Sequence, residues 1–147
     1  MPRVLMAAEK PCVLFLCTHN SARSQMAEAL LRHRAGDRYR ACSAGVEPTR
    51  VHPMTLRVLE EAGIDTEGLR SKGIDEVLGK ARVRTAIMVC AQAAAEACPR
   101  LYPFAGEVLQ WPFDDPSRVE GSEELQLAAF RRTRDMIDAR LRQWLRA

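Results

Sequence analysis

The sequence predicts an α/β fold, in which a parallel sheet is covered by helices on both faces of a single three-layer domain. Short apolar runs of strand length alternate along the chain with helical patterns, which is typical of β-α-β units. The first of these runs, residues 13–16, is apolar at every position, as expected for a strand that is buried on both faces. A length of 147 residues fits one domain.

Nine elements are predicted from hydrophobic periodicity and from the helix and strand breakers that flank each segment. In chain order they are a strand at residues 12–16, a helix ending near Gly36, a strand at 39–43, a helix at 53–62, a short helix at 71–78, a strand at 85–89, a short helix at 91–97, a strand at 108–109 and a long helix that begins near Ser122. Ligands of parallel sheets bind beyond the carboxyl ends of the strands. The segments that follow the strands are therefore the candidates for a site.

The helices are supported by their apolar faces and by the residues at their ends. The helix after the first strand carries Met26 on its apolar face and Glu28 on the face that we expect to be solvated. Pro53 suits the first turn of the next helix, and Gly63 suits its end. The alanine-rich residues 91–97 have high helix propensity.

Composition excludes several classes of function. The formal net charge is only +3, and the basic residues are scattered along the helices, which argues against nucleic acid as a partner. No run approaches the roughly 20 apolar residues of a membrane span, so we expect no membrane insertion. The five cysteines and three histidines show no zinc-ligand spacing, and we expect no metal and no tightly bound cofactor.

Residues 1–10 are expected to form an N-terminal extension, and residues 11–147 the domain. The opening apolar stretch is short and is soon followed by charge, unlike a secretory leader. Cysteines in a chain of this kind are typically reduced. We therefore expect a cytoplasmic, monomeric protein with free thiols.

Residues 17–24, with the sequence CTHNSARS, link the first strand to the first helix. In such a loop, backbone N–H groups converge on a tetrahedral anion while an arginine contacts two of its oxygens. A helix N-terminus and an arginine both favour the thiolate form of cysteine, so Cys17 is a candidate nucleophile. The alternative is a chance spacing around a buried thiol. The candidate substrate-binding residues are Thr18, His19, Asn20, Ser21, Ala22, Arg23 and Ser24.

Three side chains of this loop have more specific expectations. Ser24 can donate a hydrogen bond to a thiolate at Cys17. Asn20 is a residue type that tolerates the left-handed backbone of a tight loop. His19 either contacts the anion or projects into solvent, and we favour solvent.

Five segments carry a resemblance to a known family. They are VLFLCTHNSARSQMAEAL at residues 13–30, CSAG at 42–45, VC at 89–90, Cys98-Pro99, and WPFDDPSR at 111–118. With them the chain resembles the low-molecular-weight phosphotyrosine phosphatase superfamily and, within it, the thioredoxin-coupled arsenate reductases. The resemblance covers nearly all of residues 11–146. It implies a four-stranded parallel sheet of strand order 2-1-3-4, an oxyanion loop at residues 17–23 and a general acid at Asp115.

The same resemblance implies a reaction and a set of catalytic residues: Cys17, Arg23, Asp115, Cys90 and Cys98. Arsenate would form an adduct on Cys17, and a Cys17/Cys90/Cys98 disulfide relay would release arsenite. Thioredoxin would be the external reductant that recycles the relay. Phosphate or sulfate would bind as analogues of arsenate.

Two other functions stay open. A phosphatase acting on phosphotyrosine or small phosphoesters needs only Cys17, Arg23 and Asp115. Phosphatases of this superfamily typically carry a tyrosine pair after the Asp-Pro, where this chain has Ser117 and Arg118, and this difference favours the reductase. A non-catalytic oxyanion-binding module would need only the loop.

The spacing of the two later cysteines departs from the family pattern. Seven residues separate Cys90 from Cys98, where six are usual. If this segment is helical, a rise of ~1.5 Å per residue places the two α-carbons ~12 Å apart, beyond the ~7 Å limit for a disulfide. The relay therefore requires the segment to unwind.

Other assignments are Asp114 as an alternative acid, Cys12 in the core, Cys42 as a structural or a resolving thiol, and His33 and His52 on the surface.

Overall fold

The protein forms a parallel sheet, seen in a computed structural model that describes residues 10–80, 82–91 and 105–147. Within these residues the strands are β1 (Cys12–Cys17), β2 (Arg40–Gly45), β3 (Val83–Met88) and β4 (Ala105–Gln110). Their order across the sheet is β2-β1-β3-β4, and each neighbouring pair is parallel. The strand order implied by the family resemblance is confirmed.

The central strand β1 is the most completely buried element of the sheet. Its six residues are all buried, and Phe15 and Leu16 have no exposed surface. β2 and β3 pair with its two edges, while packed side chains cover both of its faces. This environment is the physical reason why the sequence of β1 is apolar at each position rather than alternating.

The helices of the described residues are α1 (Arg23–Ala35), α2 (Pro53–Glu61), α3 (Ile74–Leu78) and α4 (Glu123–Arg146), with a 3-10 turn at Pro116–Arg118. α1, α2 and α4 pack against one another, and α3 packs against β2. Ser122 begins α4 as predicted, because its hydroxyl accepts the N–H of Leu125 at 3.2 Å. None of these described helices has both the length and the apolar character needed to span a membrane. The predicted helix at residues 91–97 lies outside the described residues apart from Ala91.

α3 is shorter than the prediction of residues 71–78. The Ser71 hydroxyl donates to the carbonyl of His19 at 3.0 Å, and the Lys72 N–H donates to the side-chain oxygen of Asn20 at 2.9 Å. Because these groups bind the loop after β1, residues 71–73 stay outside the helix. The turn that sequence periodicity assigns to α3 is used instead to support that loop.

His52 was expected on the surface, and it is half-buried and held by neighbouring groups. Its Nδ1 accepts the N–H of Met54 at 3.0 Å and so caps the N-terminus of α2. Its ring packs on Phe130 with 4.7 Å between ring centroids. Partial burial and the positive charge of Arg50 lower the pKa of His52, and the negative charge of Asp115 opposes them. The neutral ring is therefore the form that the fold favours.

Acidification is expected to destabilise the protein through His52. Because its folded pKa lies below the unfolded value of about 6.5, the stability that it contributes is fully present above pH 6.5 and is lost as the pH falls through the folded pKa. His52→Asn keeps a capping oxygen and does not titrate. In urea unfolding at pH 7 and pH 5, the wild type should lose more stability than His52→Asn, by up to about 1 kcal/mol, the value of one helix cap. Parallel pH profiles would contradict this role.

Candidate active site

The loop of residues 17–23 is held between the end of β1 and the start of α1. Asn20 has φ 51°, the left-handed conformation that the sequence predicts for it. At Gly45, the last residue of β2, an added Cβ would lie 2.8 Å from the backbone nitrogen of Asn20 and 2.9 Å from the carbonyl oxygen of Thr18. Glycine therefore allows the loop to pass directly over the strand end. Ala22 at the N-cap of α1 has no polar side chain to occupy the first N–H groups of the helix, which leaves them for an anion.

The sulfur of Cys17 has a hydrogen-bond donor beside it. Cys17 is 2% exposed, and its Sγ lies 2.8 Å from Oγ of Ser24. Nδ2 of Asn20 donates to the same Ser24 oxygen at 2.8 Å. Ser24 therefore bridges Asn20 and the sulfur, and its hydroxyl is able to donate to a thiolate at Cys17. The contact between Ser24 and Cys17 is the one expected from the sequence.

A buried polar network fixes the position of Asn20. Its side-chain oxygen accepts from Nε2 of Gln25 and from the N–H of Lys72, both at 2.9 Å. Its amide also donates to Oγ of Ser43 at 3.0 Å, and Ser43 donates to Glu28 at 2.6 Å. Nζ of Lys72 lies 3.3 Å from the Glu28 carboxylate and compensates its charge. The expectation that Glu28 is solvated is wrong, since the residue is 6% exposed.

Arg23 and Asp115 face each other across the mouth of the loop. Arg23 donates to the carbonyl of Phe113 at 3.1 Å, and its guanidinium lies 3.6 Å from the Asp115 carboxylate. The same carboxylate accepts the Ser117 hydroxyl at 2.7 Å and the Ser117 N–H at 3.0 Å. Burial raises the pKa of Asp115, but the Ser117 donors and the charges of Arg23 and Arg118 outweigh it, and the net pKa lies below the ordinary value. Without a bound anion, Asp115 is therefore a carboxylate at neutral pH.

Two adjoining cavities open at this loop. The smaller has a volume of about 100 Å³ and is lined by Cys17, His19, Ser21, Ala22, Arg23, Thr49, Asp115 and Ser117. The larger has a volume of about 420 Å³ and is lined by Thr18, His19, Arg23, Cys90, Ala91, Phe113, Asp114, Asp115 and Arg118. The smaller cavity suits one tetrahedral anion next to the sulfur of Cys17. The larger cavity shares three lining residues with it and extends to a second thiol.

That second thiol, Cys90, follows β3, which is the neighbour of β1. The N–H of Val89 donates to the carbonyl of Leu16 at 2.8 Å, so the two strand ends remain paired up to the cysteines. Cys90 is 5% exposed, and its Sγ lies 3.5 Å from Oγ1 of Thr18. The structure thus brings Cys90 to the loop of Cys17. Cys98 lies outside the described residues.

The other predicted residues are distributed between the cavity walls and the layer beneath them. Asn20 and Ser24 are fully buried and support the loop from below. His19 is exposed, as favoured, although it also lines both cavities. Thr49 and Ser117 line the smaller cavity and are not among the site residues predicted from the sequence. The position of Ser117 directly after Asp115-Pro116 was a usable signal for it.

Comparison with known proteins assigns this architecture to a family. The model of the family described as low molecular weight phosphotyrosine protein phosphatase matches residues 12–147. The chain belongs to that family. The family resemblance predicted from the loop, the CSAG segment and the Asp-Pro segment is confirmed.

The proteins similar to this chain include arsenate reductases, and its fold is shared by a tyrosine phosphatase. The arsenate reductase of Halalkalibacterium halodurans is 41% identical over 134 residues, which cover 90% of this chain and 94% of the relative. The solved thioredoxin-dependent arsenate reductase of Corynebacterium glutamicum is 31% identical with a TM-score of 0.70, covering 98% of this chain and 64% of that chain. A solved tyrosine phosphatase of Erwinia amylovora has a TM-score of 0.75 at 15% identity, covering 94% of this chain and 93% of that chain, and shows the shared fold.

Proposed function

We propose that this protein is an arsenate reductase with a three-cysteine relay. A disulfide forms first between Cys17 and Cys90 and then between Cys90 and Cys98, and thioredoxin reduces the second disulfide. The observation that supports it best is the position of Cys90. Its thiol contacts Thr18 of the oxyanion loop and lines a cavity that adjoins the Cys17 cradle. A phosphatase has no use for a second thiol at this point. The arsenate reductases among the relatives support the same assignment.

The first step is formation of a thiol-arsenate adduct. Arsenate binds in the smaller cavity, where Arg23 and the first N–H groups of α1 hold its oxygens. The Cys17 thiolate attacks arsenic, a sulfur–arsenic bond forms, and an arsenic–oxygen bond breaks. Asp115 gives a proton to the departing oxygen, which leaves as water. Anion binding next to Asp115 raises the pKa of this carboxyl and so favours the protonated acid.

The second step carries the redox change. The Cys90 thiolate attacks the sulfur of Cys17, and the electron pair of the sulfur–arsenic bond stays on arsenic, which leaves as arsenite. Cys17 and Cys90 are then joined by a disulfide. Cys98 attacks Cys90 and frees Cys17, and the dithiol of thioredoxin reduces the resulting Cys90–Cys98 bond. Because thioredoxin supplies the electrons, the proposed cycle needs no tightly bound cofactor.

We propose that a monomer carries out this cycle in the cytoplasm, where thiols stay reduced.

Replacing Cys98 with serine is expected to stop the cycle after a single turnover. The Cys98→Ser protein should release about one arsenite per chain and then hold a Cys17–Cys90 disulfide that thioredoxin cannot reach at the wild-type rate. Rapid quenching and arsenite quantification measure the stoichiometry, and peptide mapping identifies the disulfide. Multiple turnovers with thioredoxin as the reductant would contradict the relay.

A phosphatase is the second candidate, favoured by family membership and by a cradle that suits phosphate as well as arsenate. It would use Cys17, Arg23 and Asp115 in the same roles, and Cys90 would take no part in the reaction. Phosphate release from a phosphoester without arsenate-dependent thioredoxin oxidation would favour it. A non-catalytic oxyanion-binding module would show neither activity.

A further inference from the structure

A second pair of thiols lies on the sheet, apart from the catalytic loop. Cys12 of β1 and Cys42 of β2 have their sulfurs 3.4 Å apart. The strand register pairs Leu14 with Cys42 and Cys12 with Arg40, so the two cysteines are diagonal neighbours on the same side of the sheet. Cys12 is 3% exposed, whereas Cys42 is half-buried. The proposed reaction uses neither thiol.

Cys42 opens into a cavity of its own. This cavity has a volume of about 200 Å³ and is lined by Glu28, Arg40, Ala41, Cys42, Arg70, Lys72, Glu76, Val77 and Lys80. Lys72 is paired with Glu28 and Arg70 with Glu76, which leaves the walls with an excess of positive charge. A free divalent cation is disfavoured in such a cavity, but a neutral ligand is not.

The two thiols differ in reactivity because a hydrogen bond joins them. The hydrogen bond from Cys12 lowers the pKa of Cys42 to about 7, with the charges of Arg40 and Lys72 acting in the same direction, against burial and Glu28. The same contact, together with burial, raises the pKa of Cys12. At neutral pH the accessible sulfur is therefore a partly ionised nucleophile, and the sulfur behind it is a thiol.

We propose that Cys12 and Cys42 together bind trivalent arsenic as arsenous acid. Two sulfur–arsenic bonds form, two arsenic–oxygen bonds break, and the two thiol protons leave with the hydroxyls as two waters. Arsenic stays trivalent and keeps its third hydroxyl in the cavity, so no electron is transferred. The relevance of this ligand rests on the proposed function, whose product it is, but the binding reaction does not.

The observed geometry suits this ligand. Two sulfurs bonded at about 2.3 Å to one atom, with nearly a right angle between the bonds, are about 3.3 Å apart, close to the distance between Cys12 and Cys42. β1 and β2 therefore need not move apart for both sulfurs to bond to the same arsenic atom. A divalent metal would need further protein ligands. Over residues 10–80, 82–91 and 105–147, no group of three or more His, Cys, Asp or Glu side chains is placed to hold a metal ion.

The test uses the full chain with its three relay cysteines replaced by serine at positions 17, 90 and 98. Of the five cysteines of the sequence, this background keeps Cys12 and Cys42. Arsenous acid is added to the reduced protein, native mass spectrometry counts bound arsenic, and X-ray absorption at the arsenic edge counts its sulfur neighbours. We expect one arsenic per chain with two sulfurs, unchanged by an equimolar amount of Zn²⁺. Adding Cys42→Ala should weaken binding about 100-fold, because the second bond of a chelate is intramolecular.

Several results would overturn the proposal: one sulfur neighbour, an affinity unchanged by Cys42→Ala, or displacement of arsenic by Zn²⁺. Cys42→Ala changes a half-buried side chain, and a matching thermal unfolding midpoint shows that it folds. Cys12→Ala should weaken binding to the same extent. The background variant lacks the relay, so its arsenic binding is measured independently of arsenate reduction by the wild type. Failure of the proposed function and failure of this site are therefore separate results.

Discussion

Replacing Cys17 with serine is expected to abolish arsenite production, by at least about 10⁴-fold, even in a single turnover. A serine hydroxyl at this position can still hydrogen-bond Ser24, which lies 2.8 Å from the sulfur of Cys17, but it is not ionised at neutral pH. The cradle for the anion stays intact while the nucleophile is lost. Arsenite released within the first turnover, measured by rapid quenching with thioredoxin present, gives the result directly.

The Cys98→Ser protein is the matched control for this experiment, since it also lacks one thiol of the relay. It should release about one arsenite per chain, whereas Cys17→Ser should release none. Equal thermal unfolding midpoints show that neither change disturbs the fold. If Cys17→Ser produced arsenite at a tenth of the wild-type rate, Cys17 would not be the residue that attacks arsenic.

The geometry of the loop could be predicted because its determinants are contiguous in the sequence. A strand end, a helix start and the arginine between them fix where the backbone N–H groups and the guanidinium point. The left-handed conformation of Asn20 and the contact between Ser24 and Cys17 followed from residue type at a known place in that loop. The strand order required the family resemblance, since periodicity alone does not order strands.

Contacts between distant segments could not be predicted in the same way. Glu28 has the spacing of a solvated helix residue, but it is buried. Lys72, which lies 44 residues later in the sequence, pairs with its carboxylate and offsets the cost of burying the charge. Residues 71–73 are not helical as predicted, because Ser71 and Lys72 hydrogen-bond to the loop after β1. The pairing of Cys12 with Cys42 depends on the register of β1 against β2, which a one-residue shift would destroy.

Asp115→Asn is expected to lower the rate of adduct formation about 10² to 10⁴-fold while strengthening anion binding. In the free protein the Asp115 carboxylate lies 3.6 Å from the Arg23 guanidinium and competes with an incoming anion for it. Asparagine removes that negative charge, so sulfate should bind roughly tenfold more tightly at pH 7. Pre-steady-state quenching measures the rate, and calorimetry measures sulfate affinity. A loss of rate with a gain in affinity is the behaviour of an acid, and not of a residue that merely orders the loop.

Asp114→Asn is the matched control for this prediction, because it removes the same charge from the adjacent residue. Asp114 lines the larger cavity, whereas Asp115 lines both cavities and contacts Arg23. The Asp114 variant should therefore change both the rate and the sulfate affinity by less than about threefold, the effect of a screened charge near the site. If the two variants exchanged these effects, Asp114 would be the acid, and the position of Asp115 beside Arg23 would serve only to order the guanidinium.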